Sequence, residues 1–502
     1  MTKISKRVSE SLDEYLVLTD WIKRRPEEIS LQADLGSISL QYPLITARMQ
    51  CIVGPEMARA AGRQGILTIV PRSLRDEDKQ KILDANKDAR LRKGDIEFQI
   101  YPEYASPNST FKEVMKQVKR TGYSVIPIMD RKSKLEGVYI HNPENPPLVP
   151  PYTPIAKVMQ HLNDGSVLRE DKSEQEIKQI LQKQERRFLP ITDENGILQK
   201  IAFLSKFDTN YIGMAVKTRG NWIEEIEHWG EQVDTLTIDT SNACFSEALE
   251  ILKYTKQKFP DKPFGIGNII QGRDFLKFAE AGADYIIGGM GVGSICKTGS
   301  ERGNGRGQMT VAIELAEARD AYFRAKGKYI PFVLDGGIRN IKDMCVALTL
   351  ADFIMLGNYF NGFYEAAAQK FDKDKQPTNT ELNIEYVESW GEGHPRARFV
   401  ALGGVDFRRA LAEGRELGTQ EVSERYGHSA ITGATVEGIV GLVKYKGRLK
   451  PNVENDARYI RTTISNTGAD DLKTYREKAV LEKASARTIQ DMLPHDVEVL
   501  EE

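Results

Sequence analysis

The chain has 502 residues, 40% of them hydrophobic, so it can bury a large core and has room for more than one domain. Its 70 basic residues nearly balance 72 acidic ones, and a formal charge of -2 excludes a strong overall field for nucleic acid or an anionic membrane. No stretch approaches the roughly 18 apolar residues of a membrane span, and the first residues lack the apolar core of a signal peptide. Four scattered cysteines without a CxxC pair fit a reducing compartment. We therefore expect a cytoplasmic protein with no specific nucleic-acid partner.

Short apolar runs that end in Gly, Asp, Thr or Ser recur along the chain, and most are followed by an amphipathic helical pattern. Eight of them have the character of buried parallel strands: 43–47, 66–70, 210–216, 234–239, 263–267, 283–288, 331–335 and 352–357. Helical patterns lie between them, for example at 55–64, 245–258, 272–282, 310–327 and 340–350. This alternation predicts an α/β fold of the (β/α)8 TIM-barrel type, with chemistry at the C-terminal strand ends. A doubly wound sheet is the alternative.

The second and third runs are separated by about 140 residues, too many for one connection between a strand and a helix. The gap contains a repeat, because the pattern that starts at Phe111 returns 63 residues later at Glu174. Each copy has a helix, an apolar strand, an aspartate directly after that strand (Asp130 or Asp193) and a second strand. This tandem pair resembles a CBS (Bateman) module inserted in a barrel loop. Its role is either that of a spacer or oligomer contact, or that of a regulatory site for adenine or guanine nucleotides.

The expected domain limits follow from the repeat. They are 1–91 for the first part of the barrel, 92–207 for the tandem CBS module, about 105–140 and 168–205 for its repeats, and 208–502 for the second part of the barrel.

One cysteine lies where a nucleophile is expected. Cys296 belongs to the glycine-rich stretch 288–308, just past the sixth apolar run. Most free cysteines are small buried hydrophobes. Here the flanking glycines and the hydroxyl groups of Ser294 and Thr298 favour chemistry instead. The exposed backbone groups of such a loop can hold an anion, a cation or both.

A glycine-rich and charged stretch, about 388–447, follows the eighth apolar run. It has few long apolar runs, so we expect much of it to be mobile loop rather than barrel wall. A long loop in this position can fold over the catalytic face as a flap.

Ordered motifs extend through nearly the whole chain. They are YPLITARMQ at 42–50, GVGSICKT at 291–298, DGGI at 335–338, MLG at 355–357, WGEG at 390–393, the pair Arg425 and Tyr426, VEG at 436–438, SNTGADDL at 465–472 and HDV at 495–497. In this set and order the sequence resembles the IMP dehydrogenase/GMP reductase family, and its IMP dehydrogenase branch in particular. That branch oxidises IMP to XMP with NAD and water, which supplies guanine nucleotides.

The resemblance implies a role for each catalytic residue. Cys296 attacks C2 of the hypoxanthine ring as a thiolate, and a hydride then leaves to the nicotinamide. Arg425 of the flap, with Tyr426 beside it, activates the water that hydrolyses the adduct. Thr298 and Glu437 resemble a secondary proton relay. The arginine role rests wholly on the resemblance, because an arginine side chain is almost always protonated.

The substrate and cofactor sites are also expected at strand ends. Five residues offer hydroxyl or N–H donors to phosphate: Ser294, Gly336, Gly337, Gly357 and Asn358. Asp335 can accept hydrogen bonds from both ribose hydroxyls. Glu392 and Gly393 resemble the segment that reads the purine edge, and Asp239 resembles the aspartate on the nicotinamide side of NAD. No GxGxxG follows a strand, so NAD is not expected to bind in the Rossmann manner.

The resemblance further implies K+. Carbonyls of Gly291, Gly293 and Cys296 match three of the family's ligands, and oxygen ligands suit a hard cation. The remaining ligands come from the C-terminal segment of a neighbouring subunit, here near 491–493. This arrangement requires an oligomer, and the family implies a homotetramer.

Several positions depart from the family pattern, and they cluster around the substrate phosphate and the cofactor channel. Ser389 replaces a common phosphate-binding tyrosine, Gly299 a common arginine and His394 a small residue, while Cys244 lies in an altered segment after the fourth run. Arg48 lies beside Met49, where the family has a small or aliphatic side chain.

Three alternatives to this interpretation remain, the first of which follows from these departures. One is a divergent paralogue. Another is a GMP reductase, which deaminates GMP with NADPH; because such an enzyme needs no water-activating pair, Arg425 and Tyr426 favour the dehydrogenase. The third is a nucleotide-sensing CBS regulator with a degenerate barrel, against which the intact Cys296, Thr298, Arg425 and Tyr426 argue.

Overall fold

The computed structural model describes residues 8–100, 104–142, 147–163, 165–169, 172–184, 186–401, 438–495 and 497. The chain forms two compact units. The larger comprises Met1–Asp88, Tyr211–Tyr445 and Asn455–Glu502, and the smaller comprises Ala89–Asn210 and Lys446–Glu454.

The main sheet of the larger unit is parallel, and we label its strands β1 to β8 in chain order. They are Leu44–Thr46, Thr68–Val70, Ile212–Val216, Thr235–Ile238, Phe264–Ile269, Tyr285–Gly288, Phe332–Asp335 and Phe353–Leu356. Neighbours pair from β2 through β8 and on to β1. A parallel bridge between Ile45 and Leu67 joins β1 to the start of β2, which closes the sheet. The predicted TIM barrel is thus confirmed, and the doubly wound alternative is excluded.

Helices alternate with these strands as the sequence pattern indicates. They are Pro55–Arg63, Asp76–Asp88, Trp222–Gly230, Ser246–Lys258, Gly272–Glu280, Gln308–Lys326, Ile341–Leu348 and Leu449–Asn466. The strands are buried almost throughout because both of their faces are covered, which explains their runs of Val, Ile and Leu. Inside the barrel, a Cβ on Gly265 would lie 2.1 Å from the Tyr285 ring, so only glycine leaves room for that ring.

Further elements of the larger unit surround the barrel. The strands are Tyr15–Val17, Ala33–Leu35, Ile38–Leu40, Lys370–Phe371, Tyr386–Trp390, Val440–Lys444 and Leu481–Lys483. The short helices are Leu12–Glu14, Pro26–Glu28, Thr298–Arg302, Asn358–Asn361, Glu381–Asn383, Pro395–Ala401, Leu472–Lys478 and Ala486–Asp491. In the part of the chain that the structure describes, no helix is long and apolar enough to cross a membrane.

The two ends of the stretch 388–447 form regular structure where we expected loop. Tyr386–Trp390 pairs antiparallel with Val440–Lys444, from Tyr386 opposite Lys444 to Trp390 opposite Val440. The segment VGLVK at 440–444 is a five-residue strand that contains Gly441 and is too short to stand out among long apolar runs. The two ends of the flap stretch are therefore joined to each other.

The smaller unit repeats one arrangement twice. Its elements are Ile96–Gln99, Phe111–Thr121, Val125–Met129, Leu135–Ile140, Ile155–Lys157, Gln160–His161, Glu174–Lys183, Phe188–Thr192 and Leu198–Leu204. In each copy a helix precedes an antiparallel hairpin, and the elements of the second copy start 63 residues after those of the first. The hairpins meet at a bridge between Lys134 and Ile197, and Val125, Val138 and Ile201 form a shared apolar cluster.

The helix starts and hairpin turns of the two copies also match. Thr110 and Ser173 cap their helices, each in a capping box with a glutamate three residues later. The Asp130 carboxylate accepts the backbone N–H groups of Lys132 and Lys134 at 2.7 and 2.9 Å. Asp193 accepts those of residues 195 and 197 in the same way, both at 2.9 Å. These aspartates therefore shape their own turns.

Candidate active site

The C-terminal ends of the barrel strands form the mouth of the barrel, and most of the predicted site residues lie there. Asp239 directly follows β4, the Cys296 loop follows β6, Asp335 ends β7 and Gly357 follows β8. Since the strands are parallel, these ends face the same side of the barrel.

The Cys296 loop presents its thiol to solvent. Cys296 is exposed, whereas Cys51 and Cys345 are buried. The Cys296 N–H donates to the Gly293 carbonyl at 3.0 Å, which turns the chain just before the thiol. Thr298, at the start of the short helix Thr298–Arg302, is 6% exposed. The loop therefore displays the sulfur and buries the hydroxyl-bearing residue next to it.

The ends of β6 and β7 touch through backbone atoms. A Cβ on Gly289 would lie 2.1 Å from the Asp335 carbonyl, so a side chain there would separate the two strand ends. Gly336 and Gly337 both have left-handed backbone conformations, with φ of 82° and 70°. A Cβ at Gly337 would come within 3.1 Å of Val292. The Asp-Gly-Gly turn thus packs directly on the Cys296 loop, which places Asp335 beside the predicted nucleophile's loop.

Arg48, which follows β1, connects four strand ends across the mouth. Its Nε lies 3.4 Å from Asp239 Oδ1, and its Nη1 donates to the Ile238 carbonyl at 3.3 Å. Its Nη2 lies 2.8 Å from Asn268 Oδ1 and 3.2 Å from Asp335 Oδ2. Asn268 in turn donates its Nδ2 to Asp335 Oδ2 at 2.9 Å. Two carboxylates, one amide and one buried guanidinium therefore form a single network.

Burial raises the pKa of Asp335 above its ordinary value, while the Arg48 charge and the Asn268 hydrogen bond oppose that shift. The negative charge of Asp239 adds to the increase. The Arg48 guanidinium therefore offsets part of the electrostatic cost of placing the Asp335 carboxylate in a buried site near Asp239.

Glu392 lies at the same mouth and is held at both carboxylate oxygens. The Gln50 N–H donates to Oε1 at 2.7 Å, and the Ser73 hydroxyl donates to Oε2 at 2.5 Å. Burial raises the pKa of Glu392 to about 7, despite these two donors, and the Asp239 charge adds to the increase. The group can therefore change its protonation state near neutral pH.

Backbone hydrogen bonds tie the Glu392 segment to the Cys296 loop. The Ile439 N–H donates to the Ile295 carbonyl, and the Gly391 N–H donates to the Ile439 carbonyl, both at 3.2 Å. Residue 439 follows the central part of the flap stretch, so the end of the flap lies between the nucleophile loop and the WGEG segment. Gly438 takes a φ of 143°, which favours glycine, and a Cβ there would lie 3.0 Å from Gly391.

The predicted phosphate donors are spread along the mouth. Ser294 and Asn358 are exposed, and Gly357 lies against the end of β1, where its Cβ position is 3.5 Å from Met49 Sδ. The Gly357 carbonyl accepts the Asn361 N–H at 3.1 Å, which begins the short helix Asn358–Asn361. Gly393 directly follows Glu392 in the chain.

Three predicted catalytic residues, Arg425, Tyr426 and Glu437, lie outside the described residues. Among the residues that are described, no group of three or more His, Cys, Asp or Glu side chains could hold a metal ion. The carbonyl set predicted for K+ is of another kind: Gly291, Gly293 and Cys296 all lie in the loop after β6.

A cavity of about 280 Å³ opens beside the mouth, among residues that follow β4, β5 and β6. Its lining includes Asn242, Gln271 and Met290, together with Cys244 from the altered segment. Burial raises the pKa of Cys244 to about 11, so its thiol stays protonated near neutral pH. Cys244 is therefore a poor competitor for the nucleophilic role of Cys296.

Sequence reasoning missed four site residues: Asn268, Gln50, Ser73 and Gln308, the last of which donates its Nε2 to the Asp335 carbonyl at 2.7 Å. It also treated Arg48 only as a departure from the family. For Asn268 a signal existed. The fifth run was ended at Gly267, but β5 continues to Ile269, and a single polar residue inside such a buried strand marks a group that needs a partner.

Comparisons with known proteins agree with the fold and show the family. Residues 9–495 match the model of the IMP dehydrogenase / GMP reductase domain. The inosine-5'-monophosphate dehydrogenase of Tritrichomonas foetus is 29% identical over 99% of this chain and 98% of its own length. That of Aquifex aeolicus is 25% identical over 100% of this chain and 99% of its own.

A solved structure shares the fold. A GMP reductase variant from Trypanosoma brucei in complex with guanosine 5'-monophosphate superposes with a TM-score of 0.65 at 20% identity, over 98% of this chain and 99% of that one. The family model covers nearly the whole sequence, and the barrel has the architecture and strand-end groups that the motifs indicate. The chain therefore belongs to the IMP dehydrogenase/GMP reductase family.

Proposed function

We propose that this protein is an IMP dehydrogenase that oxidises IMP to XMP with NAD and water. The observation that carries the proposal is the exposed Cys296 thiol, held at the end of β6 against the turn that contains Asp335. An accessible sulfur, on a loop that packs against a carboxylate-bearing turn at the barrel mouth, suits covalent attack on a nucleotide base. Relatives named as IMP dehydrogenases match the chain from end to end, which favours this reaction over reduction of GMP.

In the proposed mechanism Cys296 Sγ, as a thiolate, forms a bond to C2 of the hypoxanthine ring. NAD, when bound, supplies the acceptor for the hydride that leaves C2. The sulfur then remains attached at an oxidised C2. Water adds to this carbon, the sulfur leaves as a thiolate, and XMP is released together with one proton. The overall change converts IMP, NAD+ and water to XMP, NADH and H+.

The remaining residues bind substrate or assist hydrolysis in this proposal. Asp335 accepts the ribose hydroxyls, and Glu392 with Gly393 meets the purine. The phosphate binds the five donors Ser294, Gly336, Gly337, Gly357 and Asn358. Arg425 with Tyr426 activates water, and Thr298 with Glu437 forms the secondary relay.

Groups that fit NAD lie in the loops after β4, β5 and β6. Asp239 keeps one carboxylate oxygen that accepts no hydrogen bond from the described residues, and a cavity lies among the loops after β4, β5 and β6. A carboxylate and a cavity lined in part by Asn242, Gln271 and Asp274 suit a ligand with hydroxyl and amide donors. Asp239 and this cavity would therefore hold NAD.

K+ binding is proposed at the carbonyls of Gly291, Gly293 and Cys296, together with a neighbouring subunit of a homotetramer. Oxygen donors on a glycine-rich turn suit a hard monovalent cation. Met492 and Leu493, in the segment expected to supply the other ligands, are 59% and 60% exposed within their own chain. Such exposure supports a segment that packs against another subunit. Replacement of K+ by Li+ should then lower turnover.

For the insert we propose a CBS pair. The doubled helix-hairpin unit with a shared apolar cluster supports this architecture. Because Asp130 and Asp193 are used in their own turns, neither by itself points to a nucleotide. Titration with ATP and GTP, followed by calorimetry, would separate a regulatory site from a spacer.

The test of the proposed function uses purified protein with IMP, NAD and K+, while NADH is followed by absorbance and XMP by chromatography. We expect equal amounts of NADH and XMP. A parallel mixture contains GMP and NADPH. Inactivity in the first mixture with formation of IMP in the second would overturn the proposal.

A further inference from the structure

Arg48 is the least expected residue of the mouth. It is only 6% exposed, although it carries a permanent charge. All three of its guanidinium nitrogens have partners, which come from β4, the loop after it, β5 and β7. A buried charge is costly unless it is paired. Because each of its nitrogens has a partner, the Arg48 side chain is held in one defined position.

Arg48 contacts only one of the two carboxylate oxygens of Asp335. Arg48 Nη2 and Asn268 Nδ2 both approach Oδ2, at 3.2 and 2.9 Å. None of the described residues donates a hydrogen bond to Oδ1. Two donors on one oxygen fix the rotation of the carboxylate and leave Oδ1 as the acceptor for a ligand.

Without Arg48 the same carboxylate would be less constrained. Among the described residues, no other cation pairs with Asp239 or Asp335, so both carboxylates would then lack a counterion. Two nearby carboxylates disfavour joint ionisation, and a neutral Asp335 would be a weaker acceptor. Asn268 alone could not oppose both effects, since it supplies one donor to Asp335 and no charge.

We propose that Arg48 is a positioning residue for nucleotide recognition: its guanidinium holds Asp335 so that Oδ1 accepts a ribose hydroxyl of the substrate. The inference rests on the proposed function in taking IMP as that substrate. It assigns ribose selectivity to a side chain that contacts Oδ2, the carboxylate oxygen that does not accept the ribose hydroxyl.

The geometry also predicts how substitutions differ. Lysine retains the charge, but one ammonium group cannot reproduce the contacts of Nε, Nη1 and Nη2. Methionine retains much of the length and removes both the charge and the donors. Arg48→Lys should therefore lie between the wild type and Arg48→Met.

The experiment is calorimetric titration of IMP and 2'-deoxy-IMP, without NAD, into the full-length wild-type protein and the variants. The wild type should bind IMP more tightly than the deoxy nucleotide, by about tenfold or more, since a hydrogen bond to a charged group is lost. Arg48→Met should bind IMP about tenfold more weakly and lose most of this preference. Arg59→Met, which removes a partly exposed arginine on the outer helix Pro55–Arg63, is the control and should behave as the wild type.

The outcomes separate the two proposals. A wild-type protein that fails to bind IMP would contradict the proposed function. Binding of IMP with an undiminished preference for the ribose form in Arg48→Met would overturn only the role of Arg48. Thermal unfolding of each variant reports its folding. If the methionine variant does not fold, Arg48→Lys decides: an intermediate preference supports the role, and a wild-type preference overturns it.

Discussion

The barrel mouth and the insert contain the same local pattern, an aspartate at the end of a buried strand, and use it differently. In the insert the chain returns at once as a hairpin, so Asp130 and Asp193 accept N–H groups of their own turns. In the barrel the chain continues into a loop and helix, and Asp335 instead accepts donors from other strands. The comparison teaches that the connection after the strand decides whether a carboxylate stabilises a turn or faces a site.

The largest effect should follow loss of the nucleophile at the mouth. Cys296→Ala removes the sulfur that we propose attacks C2, so NADH formation should fall by about four orders of magnitude or more. Absorbance of NADH under saturating IMP and NAD measures this. The control is Cys345→Ala, which removes a buried thiol from the outer helix Ile341–Leu348 and should retain turnover. Comparable losses in both variants would place the effect in folding.

A smaller loss should follow removal of the flap arginine. Arg425→Ala should still give a rapid burst of NADH, because hydride transfer precedes hydrolysis, and its steady-state rate should fall about 100-fold or more. Rapid-mixing absorbance separates the two phases. Equal loss of the burst and of the steady-state rate would contradict a role confined to hydrolysis.

One matched pair of variants tests the contrast between the barrel mouth and the insert. Asp335→Asn should raise KM for IMP by about tenfold to a hundredfold, since the proposed charged acceptor of the ribose hydroxyls is lost. Asp193→Asn should leave KM unchanged and destabilise the insert by about 1 kcal/mol, because only a turn is weakened. Steady-state kinetics and thermal unfolding of both proteins measure the contrast. A similar rise in KM for Asp193→Asn would break the distinction between the regions.

The smallest effect concerns pH. Because the folded-state pKa of Glu392 is raised to about 7, this residue favours folding when protonated, and that contribution is lost as pH rises from about 4.5 to about 7. Glu392→Gln does not titrate, so the stability of the wild type relative to the variant should decline over this window, on the order of 2 kcal/mol. Chemical denaturation at several pH values measures the difference. A constant difference from pH 4.5 to 8 would show that Glu392 titrates normally.

Much of the barrel could be predicted because each of its strands is recognisable from a short stretch of sequence. All eight apolar runs became strands, since a strand buried on both faces reads as a continuous run of Val, Ile and Leu. The strand Val440–Lys444 was missed because it is short, contains a glycine and is only partly buried. The exposed position of Cys296 also agreed with its glycine-rich surroundings.

The network at the mouth could not be predicted in the same way. Arg48 lies 190, 220 and 287 residues from Ile238, Asn268 and Asp335, and a single sequence carries no signal that pairs them. The raised pKa of Glu392 likewise results from burial, and the Gln50 and Ser73 donors that partly oppose it lie more than 300 residues earlier in the chain. Barrel closure produces both features, and it is a property of the whole fold.

The central claim is that Cys296 attacks the purine covalently. The most direct measurement is mass spectrometry of the protein after acid quenching during turnover of IMP and NAD, with Arg425→Ala used to accumulate the intermediate. We expect a mass increase that corresponds to the attached, oxidised nucleotide, located on the peptide that contains Cys296. Turnover with unmodified Cys296 throughout, or with the nucleotide attached to Cys244 instead, would contradict the account.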